Sequence, residues 1–325
     1  MKLFGRSPIA CLLAVLPLLA ATAPAQAQNP DYPNRPVKII VAYPPGQSTD
    51  IATRYFANKL SQAMGQSFVV ENKAGASGNI GTALAARATP DGYTLIMGAS
   101  GTHAMNPALY DNPGFDAAKD FDAIAMTALI PFAISVGPTV PVNSLPELIA
   151  LARSKPGKID VAIPSVTGQL VLEMLKARDV PLFGVRHKGS GDAMTNVLGG
   201  HVPVLIDTVA ATRTQLGKIK ALAVTTEEPM DSMPGIKTAH EQGLDKFIVA
   251  AWNALMVPKG VPADIQARLY KEMTKILALP ETKKAMADLG FAPAPTRTPA
   301  QLNVWLNEER ANYAKVIKIA GMKSN

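Results

Sequence analysis

Tyr43-Pro44-Pro45-Gly46-Gln47-Ser48-Thr49-Asp50 separates an apolar run, Val37 to Ala42, from a helix-like stretch, Ile51 to Met64. A strand that ends in a Gly/Ser/Thr turn and opens a helix aims several backbone N–H groups at one spot. That arrangement binds anions. Gly46 allows close backbone approach, and Ser48, Thr49 or Asp50 can cap the helix. The design recurs. Asn72-Lys73-Ala74-Gly75-Ala76-Ser77-Gly78-Asn79 precedes a helical pattern, and Gly98-Ala99-Ser100-Gly101-Thr102 follows a strand pattern. Pro164-Ser165-Val166-Thr167-Gly168-Gln169 and Val185-Arg186-His187-Lys188-Gly189-Ser190 repeat it later in the chain. The last of these adds consecutive cations, and Arg186 can fork onto a carboxylate. Asp207 ends an apolar run, Val204 to Ile206. It can cap a helix, bind an amino or hydroxyl group, or orient Arg186. His103, beside Thr102, suits either a ligand contact or simple packing.

Each turn taken alone also suits an ordinary capped helix start; their repetition is the signal. Walker, GxGxxG, GxSxG and HExxH patterns are absent from the sequence. His103, His187, His201 and His240 lack metal-ligand spacing. No metal, cofactor or catalytic residue is therefore expected.

The elements that must position these turns alternate. Val37–Ala42, Phe68–Val70 and Tyr93–Met97 read as strands, with Ile51–Met64 and Ile80–Ala88 as helices between them. This βαβαβ order predicts a parallel sheet covered by helices on both faces. The middle continues with helices over Leu145–Arg153, Thr167–Ala177 and Gly191–Leu198, and strands over Ile159–Ile163, Val180–Val185, Val204–Ile206 and Ala221–Val224. Helices starting at Pro262 and Pro299 close the chain, the latter with Leu302, Trp305, Leu306, Tyr313, Val316 and Ile317 inward. Two uncharged segments, Ala123–Pro146 and Phe247–Pro258, read as extended crossings. They divide an α/β chain into lobe one (28–130 and 250–325) and lobe two (131–249), with a hinge and a ligand cleft between them.

Residues 1–27 read as an export signal. Lys2 and Arg6 precede an apolar run from Ile9 to Ala23, and Ala25-Gln26-Ala27 fits an A-x-A cleavage site. The run is short for a bilayer span, and Pro17 interrupts it. The single cysteine, Cys11, lies in this signal, so the mature chain has neither disulfide nor thiolate chemistry. Net charge is +7, from 32 basic and 25 acidic residues. No long basic run occurs and no aromatic residues interleave with the cations, which argues against nucleic acid. A monomer is the default expectation.

Tyr32-Pro33-Asn34-Arg35-Pro36-Val37-Lys38-Ile39-Ile40-Val41, with the Pro44-Pro45-Gly46 turn and Asp50, resembles the opening of the Bug receptors. These are the solute-binding proteins of tripartite tricarboxylate transporters. The similarity continues through Val70-Glu71-Asn72-Lys73-Ala74-Gly75-Ala76, Pro90-Asp91-Gly92-Tyr93-Thr94-Leu95 and Asn106-Pro107-Ala108-Leu109-Tyr110. Lys188-Gly189-Ser190, Leu198-Gly199-Gly200, Leu222-Ala223-Val224-Thr225 and the Trp252 region complete it.

The resemblance implies a periplasmic binding protein of two α/β lobes that holds a carboxylate and hands it to a membrane permease. First-lobe contacts implied by it are Tyr43, Gly46, Gln47, Ser48, Ala76, Ser77, Ser100 and Thr102. Second-lobe contacts are Ser165, Thr167, Gly168, Gln169 and Asp207. Gln47 stands where the family usually has a second glycine, and Arg186-His187 where it often has Pro-Tyr. A dicarboxylate is the expected ligand; Gln47 and Arg186 suit a longer or aromatic one such as a benzene dicarboxylate, with a short aliphatic diacid as the runner-up. A sensory co-receptor and a secreted enzyme acting on small acids are the alternatives.

Overall fold

The computed structural model describes Met1 and residues 32–322, so the export signal read in residues 1–27 lies, Met1 apart, outside the described residues. The first unit follows the expected order: β1 (Val37–Val41), α1 (Ser48–Met64), β2 (Phe68–Asn72), α2 (Asn79–Ala86) and β3 (Thr94–Ala99). β2, β1 and β3 lie side by side and parallel. β1 is buried apart from Lys38. α1 buries Phe56, Ala57, Leu60 and Met64 along one stripe, which fixes the helix on the sheet.

A π-helical turn, Gly101–Met105, leads into α3 (Asn106–Leu109) and then β4 (Phe121–Val136). The middle of the chain runs α4 (Leu145–Ser154), β5 (Asp160–Ile163), α5 (Val166–Lys176), β6 (Phe183–Arg186), α6 (Ser190–Leu198), β7 (Val204–Thr208), α7 (Val209–Thr212) and β8 (Lys220–Val224). β9 (Ala250–Pro258), α8 (Ala263–Ala278), α9 (Pro280–Asp288) and α10 (Pro299–Ile319) complete it.

The three strands of the first unit are parallel as expected, and the larger sheet that they join is mixed. Its order is β2-β1-β3-β9-β4-β7-β5-β6, with β8 also paired to β4. β9 is antiparallel to both β3 and β4. The two uncharged segments pair with each other: Phe121 to Pro131 of β4 lies against β9, and Phe132 to Val136 lies between β7 and β8. One 16-residue strand thus runs through both halves of the fold. Pro131, which has no N–H to donate, sits where β4 leaves β9. Beyond it the Phe132 amide donates to Thr225 Oγ1 at 3.0 Å, and Thr225 Oγ1 donates to the Val249 carbonyl at 2.6 Å. Register shifts at Ala123/Ala125, Met126/Ala128 and Ile134/Ser135 curl the strand.

The strand expected over Val180–Val185 begins only at Phe183. In the closing helices, Ile265, Leu269, Met273 and Ile276 are buried on α8, and Leu302, Leu306 and Ile317 on α10. Trp305, Tyr313 and Val316 are half-buried.

Candidate functional site

Five helical starts border one small chamber between the two halves of the sheet. Its wall combines Tyr43, Gln47, Ser48 and Thr49, then Ser100 and Gly101, then Ser165 and Thr167, then Ser190, Asp207 and Thr208. Ile130 and Phe132 of β4 and Ala251 of β9 also line it. The chamber volume is about 50 Å³, room for a few water molecules or one ligand head group. It adjoins a wider outer pocket of about 430 Å³, lined among others by Pro44, Ala76, Ser77, Pro164, Arg186 and Lys188. Tyr43, Gln47, Ser165 and Val166 line both.

The first turn is built differently from its expected capping. Gln47, extended at φ −74°, holds the N-cap position of α1 without any side-chain cap bond. Asp50 instead reaches back to accept the Gly46 amide at 2.9 Å, where Gly46 adopts φ +82°. Asp50 also accepts from Arg54 at 3.0 Å and from Asn72 at 2.9 Å. Burial alone would raise its pKa; the hydrogen bonds from Arg54, Gly46 and Asn72 outweigh burial and keep the carboxyl below its usual range. Ser48 and Thr49 are therefore free for other partners. Ser48 donates to Thr208 Oγ1 across the chamber at 2.5 Å, and Asn253 donates to Thr49 Oγ1 at 3.1 Å.

The second turn runs through four successive left-handed residues, Gly75, Ala76, Ser77 and Gly78. For Ala76 and Ser77 this is strained backbone. Asn106 and Tyr110 hold it: Asn106 Nδ2 donates to the Ser77 carbonyl at 3.0 Å, and the Tyr110 hydroxyl donates to Ser77 Oγ at 3.0 Å. A Cβ at Gly78 would meet Thr102 Cγ2 at 2.5 Å, so only glycine fits there.

In the third turn, Ser100 faces Thr167 of the opposite half at 3.4 Å between their hydroxyl oxygens. Thr102 lies behind the wall. Its hydroxyl donates to the Ala99 carbonyl at 3.2 Å and meets His103 Nδ1 at 2.8 Å. His103 is fully buried against Phe121, and burial lowers its pKa to about 3, so it packs as a neutral ring. Burial likewise pushes the Tyr43 phenol up to about 12.

Ser165 caps α5 by accepting the Gly168 amide at 3.0 Å. Gly168 and Gln169 do not reach the chamber. Gly168 packs beside the Ile206 carbonyl, and Gln169 lies near Gly184 of β6 and donates to Glu173 at 2.6 Å, one turn further along α5. Gly46 borders neither cavity. Arg186 is exposed, borders the outer pocket and has no acidic partner among the described residues. His187 meets Asp192 at 3.1 Å, and the Lys188 amide donates to the same carboxylate at 3.2 Å.

Asp207 is 1% exposed. Its Oδ1 accepts the Thr208 amide at 2.7 Å and the Ser190 hydroxyl at 3.1 Å. Its Oδ2 has no partner among the described residues. Burial raises its pKa to about 6, against the opposing pull of the Thr208 amide and of the Ser190 and Thr208 hydroxyls.

Sequence reasoning missed Thr49, Ser190, Thr208 and the crossing-strand residues Ile130, Phe132 and Ala251. Ser190 and Thr208 had a usable signal: Ser190 ends a turn already quoted and opens α6, and Thr208 follows Asp207 and caps α7. The crossing-strand residues had none, because nothing local says which strand faces lie under a chamber. No group of three or more His, Cys, Asp or Glu suited to a metal occurs among the described residues.

Residues 52–322 match the family model "Tripartite tricarboxylate transporter family receptor", TctC. The chain is 32% identical over 320 residues to the protein BugT of Bordetella pertussis, covering 96% of this chain and 98% of BugT. Among solved structures, R. palustris Rpa4515 with adipate superposes with a TM-score of 0.86 at 32% identity, covering 90% of this chain and 99% of that one. MatC (Rpa3494) from Rhodopseudomonas palustris with bound malate gives a TM-score of 0.80 at 29% identity, covering 88% and 100%. Proteins of this family are solute-binding proteins, which removes the secreted-enzyme alternative. The chain belongs to the TctC family, the tripartite tricarboxylate transporter receptors that include the Bug proteins.

Proposed function

We propose that this receptor captures a small dicarboxylate in the periplasm and delivers it to the membrane subunits of a tripartite tricarboxylate transporter. One carboxyl end enters the chamber, facing the hydroxyls of Ser48, Ser100 and Thr167 and the positive ends of the helices. The other end lies in the outer pocket, within reach of Arg186 and Lys188. The observation that carries this reading is the pair of adjoining cavities, one small and hydroxyl-lined, the other wider and edged by cations. A ligand spanning both must be longer than a single head group, which favours a six-carbon or aromatic diacid over a short one. The neighbours that bind adipate and malate support the ligand class.

The lobes are 28–130 with 250–325, and 131–249, joined through β4 and β9. Ligand contacts from both sides favour the closed arrangement. Calorimetry of the mature protein with malate, adipate and a benzene dicarboxylate tests the reading. Micromolar or tighter binding of a diacid, with the matching monoacid at least tenfold weaker, is the expected result. Equal affinity for diacid and monoacid would remove the role of the outer pocket.

A further inference from the structure

Asp207 is the only charged side chain lining the chamber among the described residues. Its placement conflicts with a chamber meant for an anion. Oδ1 is satisfied by Ser190 and Thr208, whereas Oδ2 is buried and unpartnered among the described residues. No cation among the described residues of the wall compensates it. Ala133 of β4 pairs beside it, α1 offers Ser48 and Thr49, α5 offers Thr167, and α6 offers Ser190. The other titratable group in the wall is the Tyr43 phenol. Arg186, His187 and Lys188 line the outer pocket instead, and Asp192 on α6 turns toward His187 and the Lys188 amide. Asp50 on α1 is held by Arg54 and Asn72, and Glu173 on α5 by Gln169 and Lys176.

Two carboxylates within hydrogen-bond distance in a buried site cannot both stay ionised. We propose that the chamber binds the inner carboxyl group of its ligand together with one proton, held between that group and Asp207 Oδ2. This rests on the carboxylate reading of the site. The balance is simple: a ligand carboxylate, the Asp207 carboxylate and one solvent proton form a hydrogen-bonded pair carrying a single negative charge, with no bond to carbon changed. The shared proton gives Oδ2 the donor it lacks and removes the repulsion.

Because burial holds free Asp207 near 6, the free receptor is mostly ionised at neutral pH and must take up the proton on binding. Affinity therefore falls as pH rises above that value, by up to about tenfold per pH unit. Asp207→Asn is the informative variant. Asparagine keeps the Oδ1 acceptor for Ser190 and Thr208 and puts an N–H donor where Oδ2 stood, so no proton is required.

The experiment is calorimetry of wild type and D207N with adipate, succinate and malate from pH 5.5 to 8.5, in two buffers of different ionisation enthalpy. The expected result is uptake of roughly one proton per bound ligand near pH 7.5 and an affinity that declines with pH. D207N should bind with neither proton uptake nor pH dependence. Wild-type binding that is flat with pH and exchanges no proton overturns the proposal. So does tight malate binding without proton uptake alongside undetectable succinate, because Asp207 would then accept from the malate hydroxyl. Should D207N fail to fold, the wild-type proton count decides. If no acid binds either protein at any pH, the carboxylate reading itself fails, an outcome distinct from binding without protons.

Discussion

The inner chamber and the outer pocket adjoin, yet they are built on opposite principles. The chamber is narrow, hydroxyl-lined and held by bonds that cross between the halves, such as Ser48 to Thr208. Its single charge, on Asp207, is buried, with one oxygen unpartnered among the described residues. The outer pocket is open and carries its charge on flexible side chains, Arg186 and Lys188, with its wall shaped by strained backbone at Ala76 and Ser77. A buried polar wall acts through a few short bonds that fail completely when one is blocked. Exposed cations act through a field that water and salt weaken. The first kind of wall suits recognition of a shared head group, the second discrimination among tails.

The largest expected effect comes from blocking the chamber. Ser48→Leu places a branched side chain in about 50 Å³ of space, and diacids and monoacids alike should lose at least about 100-fold in affinity. Titration calorimetry reads this, and circular dichroism should still report a folded protein. Retained binding would mean that the ligand does not use the chamber.

Next is Arg186→Ala, which should weaken diacid binding by about 1.5–3 kcal/mol through loss of a charge-assisted contact and leave a monoacid unchanged. A matching loss for both ligands would place Arg186 in general steering instead.

A comparable energy should appear in stability against pH. Asp207 has its pKa raised from 3.8 to about 6 in the folded protein, so the folded state holds more protons than the unfolded one between those values. Stability should therefore be highest below pH 4 as far as this group is concerned, and should fall as pH rises toward 6. The ceiling on the loss is ~3 kcal/mol. Asp207→Asn should raise the urea midpoint at pH 7.5 relative to wild type and leave it little changed at pH 4. An equal shift at both pH values would trace the effect to packing.

The smallest effect belongs to Lys188→Ala, a few-fold loss for diacids corresponding to about 0.2–1 kcal/mol. Raising the salt concentration should erase it, measured as equal affinities for the two proteins. A difference that survives high salt would mean a buried contact.

Much of the chamber was legible in the sequence because turn chemistry is local. Strand–turn–helix junctions marked Ser48, Ser100, Ser165 and Thr167, a strand end marked Asp207, and the resemblance implied Tyr43 and Gln47; all of them line the chamber. Ala76, Ser77 and Arg186 line the outer pocket. The same reasoning could not say which side of a turn each side chain takes. Helical rotation turns Gln169 toward Glu173 and Gly184, away from the chamber, and Gly46, in its left-handed bend, borders neither cavity. Thr102, although beside Gly101 in sequence, spends its hydroxyl within its own turn. The mixed sheet was illegible because the pairing of β9 with β3 and β4 joins segments far apart in sequence, and no local pattern encodes the direction of a distant partner. Helix α9 escaped notice because only Thr282 and Met286 are buried among its charged residues, which leaves a weak apolar stripe.

β4 crosses from one half of the molecule to the other as a single ribbon of hydrogen-bonded backbone. A connection of that kind has no slack joint. It behaves like a torsion bar, so any opening of the proposed lobes has to be stored as extra twist near Pro131 and Phe132 and in the facing residues of β9. Amides anchored there, such as those of Phe132 and Thr225, should stay protected from deuterium through many opening cycles, while those of the loops around the cavities exchange.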